Sequence, residues 1–96
     1  MSTTNAGADT PWLDGNALAG PLGEVIGTDL TVAELTCAGC RTTRPLAMMH
    51  VFDRAPGLVA RCPACDDVVM RVVRTADRVL IDLRGSLVLG LPASTA

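Results

Sequence analysis

Four cysteines in two Cys-x-x-Cys pairs are the residues of this chain whose spacing best predicts chemistry. The first pair is Cys37 and Cys40, the second is Cys62 and Cys65, and the 96 residues contain no other cysteine. A two-residue gap lets one tight turn, or knuckle, direct both sulfur atoms towards a single ion, and a second knuckle completes a tetrahedron of thiolates. The spacing therefore predicts a structural site for one Zn²⁺ per chain, with no coordination position open to substrate.

Two alternative uses of these cysteines have different sequence requirements. A rubredoxin-like Fe(Cys)₄ centre would make the chain an electron carrier, but such centres usually lie in a core rich in aromatic residues. This chain has one Trp and one Phe. Thiol–disulfide catalysis usually places the reactive cysteine at the start of a helix, and no helical pattern follows either pair. Structural zinc is the favoured interpretation, and the iron carrier remains an alternative.

The charge of the chain is unevenly distributed. The formal net charge is −2, with five acidic and no basic residues in positions 1–36, and eight arginines against five acidic residues in positions 37–96. Four zinc-bound thiolates and one Zn²⁺ would bring the second part close to neutral. A dedicated nucleic-acid-binding protein would have a strongly basic surface. We therefore expect a protein partner in preference to RNA or DNA.

A nucleic-acid-binding ribbon, acting in translation or transcription, is the alternative function. Arg41, Arg44 and Arg61 are its candidate phosphate contacts, because a guanidinium group binds phosphate oxygens in pairs. The scarcity of aromatic residues, on which unpaired bases stack, argues against it.

His50, the one histidine, is predicted to be an ordinary strand residue. The scattered acidic residues offer no paired catalytic groups, so we expect the chain not to be an enzyme.

The N-terminal residues and the cysteines together predict a cytoplasmic protein. Residues 1–11 lack the basic start and the apolar stretch of a secretory signal. No apolar run approaches the roughly 20 residues of a membrane span, so no membrane association is expected. A reducing compartment would keep the thiols free to bind metal.

Composition shifts along the chain predict its organisation. Residues 1–11 are predicted to be a disordered leader, residues 12–28 a helical extension, residues 29–91 the metal-binding domain, and residues 92–96 a disordered tail. Gly27 is the predicted stop of the helix.

An apolar stripe predicts how this helix is used. Its members recur at the spacing of one helix face: Leu18, Leu22, Val25 and Ile26. Such a stripe either packs on an apolar face of the domain or docks on a partner. We expect packing within the chain, because the predicted hairpin offers an apolar face made of Val68, Met70, Val72, Val79, Ile81 and Leu83.

The strands are predicted around the knuckles. Residues Pro45–Phe52 are expected to form one strand after the first knuckle, and Leu58–Arg61 a strand that enters the second. Asp67–Arg74 and Arg78–Arg84 alternate like the arms of a hairpin. The apolar residues after Gly85 predict one further edge strand.

The residue after each knuckle departs from a common pattern. Many knuckles carry glycine there, because a positive φ lets backbone N–H groups point at the sulfur atoms. This chain has Arg41 and Asp66 at those positions. Arginine tolerates positive φ less well than aspartate, so we expect the first knuckle to be slightly irregular.

The order of knuckle, strands, second knuckle and hairpin resembles the zinc-ribbon fold over about residues 30–84. The fold class implied is a small β-rich zinc ribbon with three or more antiparallel strands, two zinc knuckles and a short N-terminal helix. The function implied is that of a non-catalytic, zinc-binding module for macromolecular interaction.

Three segments also resemble a family of small actinobacterial proteins of unknown function. They are residues Leu13–Leu22, Ala55–Pro63 and Leu83–Gly85. The resemblance spans most of the chain and implies no activity. Because genes of that family can neighbour oxidoreductase genes, it suggests an oxidoreductase as one candidate partner.

Overall fold

The computed structural model describes residues 12–27, 29–54 and 57–93. The predicted leader, residues 1–11, and positions 94–96 of the predicted tail lie outside the described residues. Within the described ranges, every helix is too short or too polar to reach across a bilayer.

In the described part of the chain, seven strands form two antiparallel sheets. They are β1 (Glu34–Cys37), β2 (Thr43–Pro45), β3 (His50–Arg54), β4 (Gly57–Arg61), β5 (Val68–Arg74), β6 (Val79–Asp82) and β7 (Ser86–Gly90). The first sheet has the strand order β2-β1-β7 and the second the order β3-β4-β5-β6. The prediction of a small β-rich fold with at least three antiparallel strands is confirmed.

Each sheet contains one hairpin whose turn is a knuckle. Strands β1 and β2 pair across the first Cys-x-x-Cys turn, and β4 and β5 pair across the second. One more strand lies on the other side of each entering strand, β7 beside β1 and β3 beside β4. The two sheets are therefore built alike around their knuckles. Strand β6 extends the second sheet and forms the predicted hairpin with β5.

A short helical segment precedes the sheets, as predicted. A 3₁₀ turn at Gly15–Leu18 runs directly into helix α1 (Ala19–Ile26). The helix ends at Gly27, whose φ of 76° is the left-handed conformation that glycine adopts without steric cost. Pro21 lies in the first helical turn, where backbone N–H groups have no partner within the helix.

Helix α1 packs within the chain. Leu18 and Leu22 are fully buried in the same core cluster as Met70 of β5. Ile26 packs against the edge of that cluster, whereas the side chain of Val25 is 52% exposed. The buried face of the helix is therefore narrower than the predicted stripe.

The segment after the first knuckle is not the single strand that we expected. A 3₁₀ turn at Leu46–Met48 separates β2 from β3, which belong to different sheets. Leu46 and Met49 are both buried, whereas Met48 is 54% exposed. Burial at a spacing of three residues matches one 3₁₀ turn and not the two-residue period of a strand. This turn carries the chain from the first sheet to the second. A similar 3₁₀ turn, Leu30–Val32, precedes β1.

Candidate metal centre

The two sheets bring their knuckles together. The four cysteine sulfur atoms lie within 4.8 Å of one another. Between knuckles, Cys37 Sγ is 3.6 Å from Cys65 Sγ, and Cys40 Sγ is 3.7 Å from Cys62 Sγ. All four are free thiols. Zn–S bonds of 2.3 Å at tetrahedral angles would place sulfur atoms about 3.8 Å apart. The observed separations therefore fit one tetrahedrally bound ion.

The backbone follows the same path in both knuckles. The N–H of Arg41 donates to the carbonyl of Cys37, and the N–H of Asp66 donates to the carbonyl of Cys62, each over 2.8 Å. The φ angles of Arg41 and Asp66 are 64° and 68°. The expectation of an irregular first knuckle is therefore wrong, because the same turn hydrogen bond holds both residues in the left-handed conformation.

Backbone N–H groups also point at the first sulfur atom of each knuckle. The N–H of Gly39 donates to Cys37 Sγ over 3.3 Å, and the N–H of Ala64 donates to Cys62 Sγ over 3.4 Å. Donors of this kind stabilise the thiolate form of cysteine. The backbone of each knuckle therefore stabilises the thiolate form of its first cysteine.

The second sulfur atom has a different partner in each knuckle. Thr42 Oγ1 lies 3.1 Å from Cys40 Sγ. The hydroxyl and the backbone N–H of Thr42 lower the pKa of Cys40 to about 6. The equivalent residue in the second knuckle is Asp67, which has no hydroxyl to donate. Its N–H lowers the pKa of Cys65, but burial and the neighbouring thiols outweigh it and raise that pKa to about 12. The pKa values of the two second cysteines, Cys40 and Cys65, are thus shifted in opposite directions.

A turn between β6 and β7 contacts the first knuckle and the strand that leaves the second knuckle, and its role was missed by the sequence patterns. The carbonyl of Gly85 accepts a hydrogen bond from the N–H of Ala38, in the first knuckle, over 2.9 Å. On its other side Gly85 touches the strand that leaves the second knuckle, since a Cβ there would lie 1.9 Å from the carbonyl oxygen of Val68. Only glycine permits this approach. The one sequence signal was the Leu83–Gly85 segment of the family resemblance, which assigned it no role.

The arginines predicted to contact phosphate lie in three different settings. Arg41 is exposed at the first knuckle. Arg44, on β2, is half-buried, and its Nε has no hydrogen-bond partner among the described residues. Arg61 ends β4 and donates to the carbonyl of Asp66 over 2.9 Å. In the part of the chain that the structure describes, no hydrogen bond joins these three side chains.

Fold and site together define a small protein of two antiparallel sheets, with a short N-terminal helix and a four-cysteine cluster able to hold a metal ion. The sequence profile of a protein family described as a family of unknown function (DUF6510) matches residues 7–94. The match covers most of the chain, which therefore belongs to this family. No curated protein and no solved structure gave a significant match.

Proposed function

We propose that this chain is a non-catalytic zinc-ribbon protein that binds a macromolecular partner, most favourably another protein. The observation that carries the proposal is the cluster of four free thiols on two knuckles of matching backbone geometry. Four protein ligands fill every position of tetrahedral zinc, so the ion would hold the two sheets together and leave no place for a substrate.

The residues around the cluster suit a structural ion. Cys37 and Cys62 are each 1% exposed and belong to the hydrophobic core. The metal would therefore lie against the hydrophobic core. A chain of 96 residues has little apolar surface to bury, so a bound metal would add stability that the core alone does not provide. Because such a site does not exist in the unfolded chain, the free energy of metal binding becomes free energy of folding.

Charge supports a protein partner over nucleic acid. The chain has a net charge of −2, and four thiolates with one Zn²⁺ would make it more negative. This net charge disfavours binding of a long polyanion. We place the protein in the cytoplasm in this proposal, because a reducing compartment preserves the thiols.

Metal analysis of natively expressed protein tests the metal assignment. We expect one zinc per chain, no visible colour, and loss of the thermal unfolding transition after treatment with a strong chelator. Tetrahedral thiolate sites also accept iron. A coloured, reducible iron centre would overturn the zinc assignment and favour the electron carrier.

Capture from native cytosol tests the partner assignment. Zinc-loaded protein serves as bait, and chelator-treated protein is the matched control. A bound protein should be retained by the zinc-loaded form after nuclease treatment. If nuclease removes all bound material, the nucleic-acid alternative is the better one.

A further inference from the structure

The chain's one tryptophan, one phenylalanine and one histidine lie next to one another. The indole of Trp12 stacks on the ring of His50, with centroids 3.9 Å apart and an interplanar angle of 15°. It also meets the ring of Phe52 edge-on at 6.4 Å. Two backbone hydrogen bonds between Leu13 and Val51 hold the Trp12 segment beside β3. His50 is a strand residue, as predicted, but one that belongs to an aromatic cluster.

Two arginines flank this cluster. The guanidinium carbons of Arg54 and Arg61 lie 5.9 Å and 5.8 Å from the centroid of the Phe52 ring. Arg54 follows Phe52 by two residues, whereas Arg61 pairs with His50 in the opposite direction along the strand. The arginines therefore approach the ring from two sides. We define the aromatic–arginine face as Trp12, His50, Phe52, Arg54, Val59 and Arg61.

The aromatic–arginine face points away from the core. Val51, between His50 and Phe52 on β3, is fully buried, so its neighbours lie on the opposite side of the sheet. Phe52, Val59 and the two arginines line a surface groove of about 290 Å³. An apolar floor between two cationic side chains is thus open to a ligand.

The arginines of this face have donors to spare. No carboxylate pairs with Arg54 among the residues that the structure describes. Arg61 uses one nitrogen, Nη1, for the Asp66 carbonyl and for a long ion pair of 4.0 Å with the Asp66 carboxylate. By contrast, Arg74 is held by Glu24 over 2.6 Å. A guanidinium near an aromatic ring can still bind a carboxylate through two parallel hydrogen bonds.

We propose that this face docks an acidic segment of a partner protein, an extended stretch in which two carboxylates flank an apolar side chain. The carboxylates pair with Arg54 and Arg61, and the apolar side chain covers Phe52 and Val59. Tryptophan and arginine are among the residues that most often dominate binding energy at protein interfaces. The inference rests on the proposed function as a protein-binding module and names the surface and chemistry of that binding.

A nucleic acid fits the same face less well. Its affinity would depend on many phosphate contacts, and this face offers two arginines on a chain with a net charge of −2. His50 already covers one side of the Trp12 ring. The face therefore offers the Phe52 ring and the other side of Trp12, fewer stacking surfaces than a series of bases in a single strand requires.

Trp12, the chain's one tryptophan, is a built-in fluorescent reporter of this face. The probe is a blocked heptapeptide, Gly-Glu-Ser-Leu-Ser-Glu-Gly, whose glutamates and leucine share one side of an extended chain. Its matched control carries glutamine in place of both glutamates. Titration of the zinc-loaded full chain, followed by fluorescence and calorimetry, should show saturable binding at least tenfold tighter for the acidic peptide.

Variants locate the binding. Replacing both arginines, Arg54→Gln with Arg61→Gln, should weaken binding of the acidic peptide at least tenfold. Arg54→Gln alone should weaken it about threefold, and this variant leaves the Arg61 hydrogen bond to the second knuckle intact. Arg78→Gln removes the same charge from the exposed turn after β5 and should change nothing. Zinc content and melting temperature, measured on the same samples, separate failure of docking from failure of the zinc assignment.

Several outcomes would overturn the inference. These are equal binding of the two peptides, absence of saturable binding, or unchanged affinity in the double variant. A further probe is an oligothymidylate of about 15 nucleotides. If it bound tenfold more tightly than the acidic peptide, with an affinity that falls steeply as salt rises, the face would be a nucleic-acid site instead.

Discussion

The two knuckles share one backbone and differ in the side chains around it. Both have a left-handed residue after the second cysteine, with φ of 64° and 68°, and both direct a backbone N–H at the first sulfur atom. They differ at the fifth residue after the first cysteine, where the Thr42 hydroxyl lies 3.1 Å from Cys40 Sγ and the equivalent Asp67 has a carboxylate instead. Backbone and side chains therefore have separate effects on the site. The backbone fixes where the sulfur atoms lie, and one neighbouring side chain adjusts how readily a thiol ionises.

Loss of one ligand from either knuckle should have the largest effect. We expect Cys37→Ser and Cys62→Ser to lose both metal and cooperative unfolding, because structural zinc contributes about 10–16 kcal/mol to folding in small domains. Metal content and thermal unfolding followed by circular dichroism measure the effect. Ala38→Ser and Ala64→Ser place a hydroxyl in the same turns without removing a ligand, and both should stay folded. A Cys62→Ser protein with full metal content and unchanged melting would argue against a structural four-cysteine site.

Gly85, in the turn that lies between the first knuckle and strand β5, should be the next most sensitive position. Gly85→Ala places a Cβ 1.9 Å from the carbonyl oxygen of Val68. We expect it to cost about 1–3 kcal/mol, as other overpacked sites do. Gly90→Ala is the matched control, since its nearest neighbour would be the Glu34 carbonyl oxygen at an ordinary 3.7 Å. Urea unfolding at a fixed zinc concentration compares the two. Equal stability of both variants would show that this close approach does not require glycine.

Thr42 should control how acid releases the metal from the first knuckle. The pKa of Cys40 falls from the ordinary 9.0 to about 6, so its thiolate persists as the pH drops and is protonated only near pH 6. Without the hydroxyl, protons compete for this sulfur at higher pH. Thr42→Val should therefore move the midpoint of zinc release upwards by roughly half a pH unit or more, as measured with a chromogenic chelator. Thr36→Val is the control, because the Thr36 hydroxyl bonds Thr43 and no sulfur atom.

The converse substitution in the second knuckle should have the opposite effect on zinc release. Asp67→Thr would supply a hydroxyl at the position equivalent to Thr42 and remove a carboxylate near the thiols. We expect zinc to be retained to lower pH than in the wild-type protein, which is the opposite sign to Thr42→Val. If both substitutions moved the midpoint the same way, the side chain at this position would not set the ionisation of its knuckle.

Local spacing made much of this molecule predictable. The cysteine pairs, the helix stop at Gly27 and the hairpin of β5 and β6 each depend on residues close in the chain, and the structure shows all three. The edge strand expected after Gly85 is also present as β7, paired with β1. The apolar run after Gly85 predicted that this strand exists, but not that its partner is β1, which lies far away in the chain.

What could not be predicted depends on pairing between distant segments. The 3₁₀ turn at Leu46–Met48 interrupts the predicted strand because the chain passes from one sheet to the other there. The apolar run Pro45–Phe52 gives no sequence signal of that change. The aromatic–arginine face forms because Leu13 pairs with Val51 and brings Trp12 to β3. The composition shows that the chain has few aromatic residues, but it does not show that they lie in contact in the fold.

The smallest expected effect concerns the left-handed residue of each knuckle. A side chain there costs about 1 kcal/mol relative to glycine, which is partly offset by the greater freedom of glycine in the unfolded chain. Arg41→Gly should therefore stabilise the zinc-loaded protein by about 0.5 kcal/mol in urea unfolding. Asp66→Gly should gain less, because aspartate adopts positive φ more easily. Arg41→Ala is the control, since it removes the charge but keeps the strained conformation and should give no gain. If Arg41→Gly left stability unchanged or lowered it, the contacts of the arginine side chain would have to stabilise the knuckle. Their contribution would then equal or exceed the cost of the strained backbone.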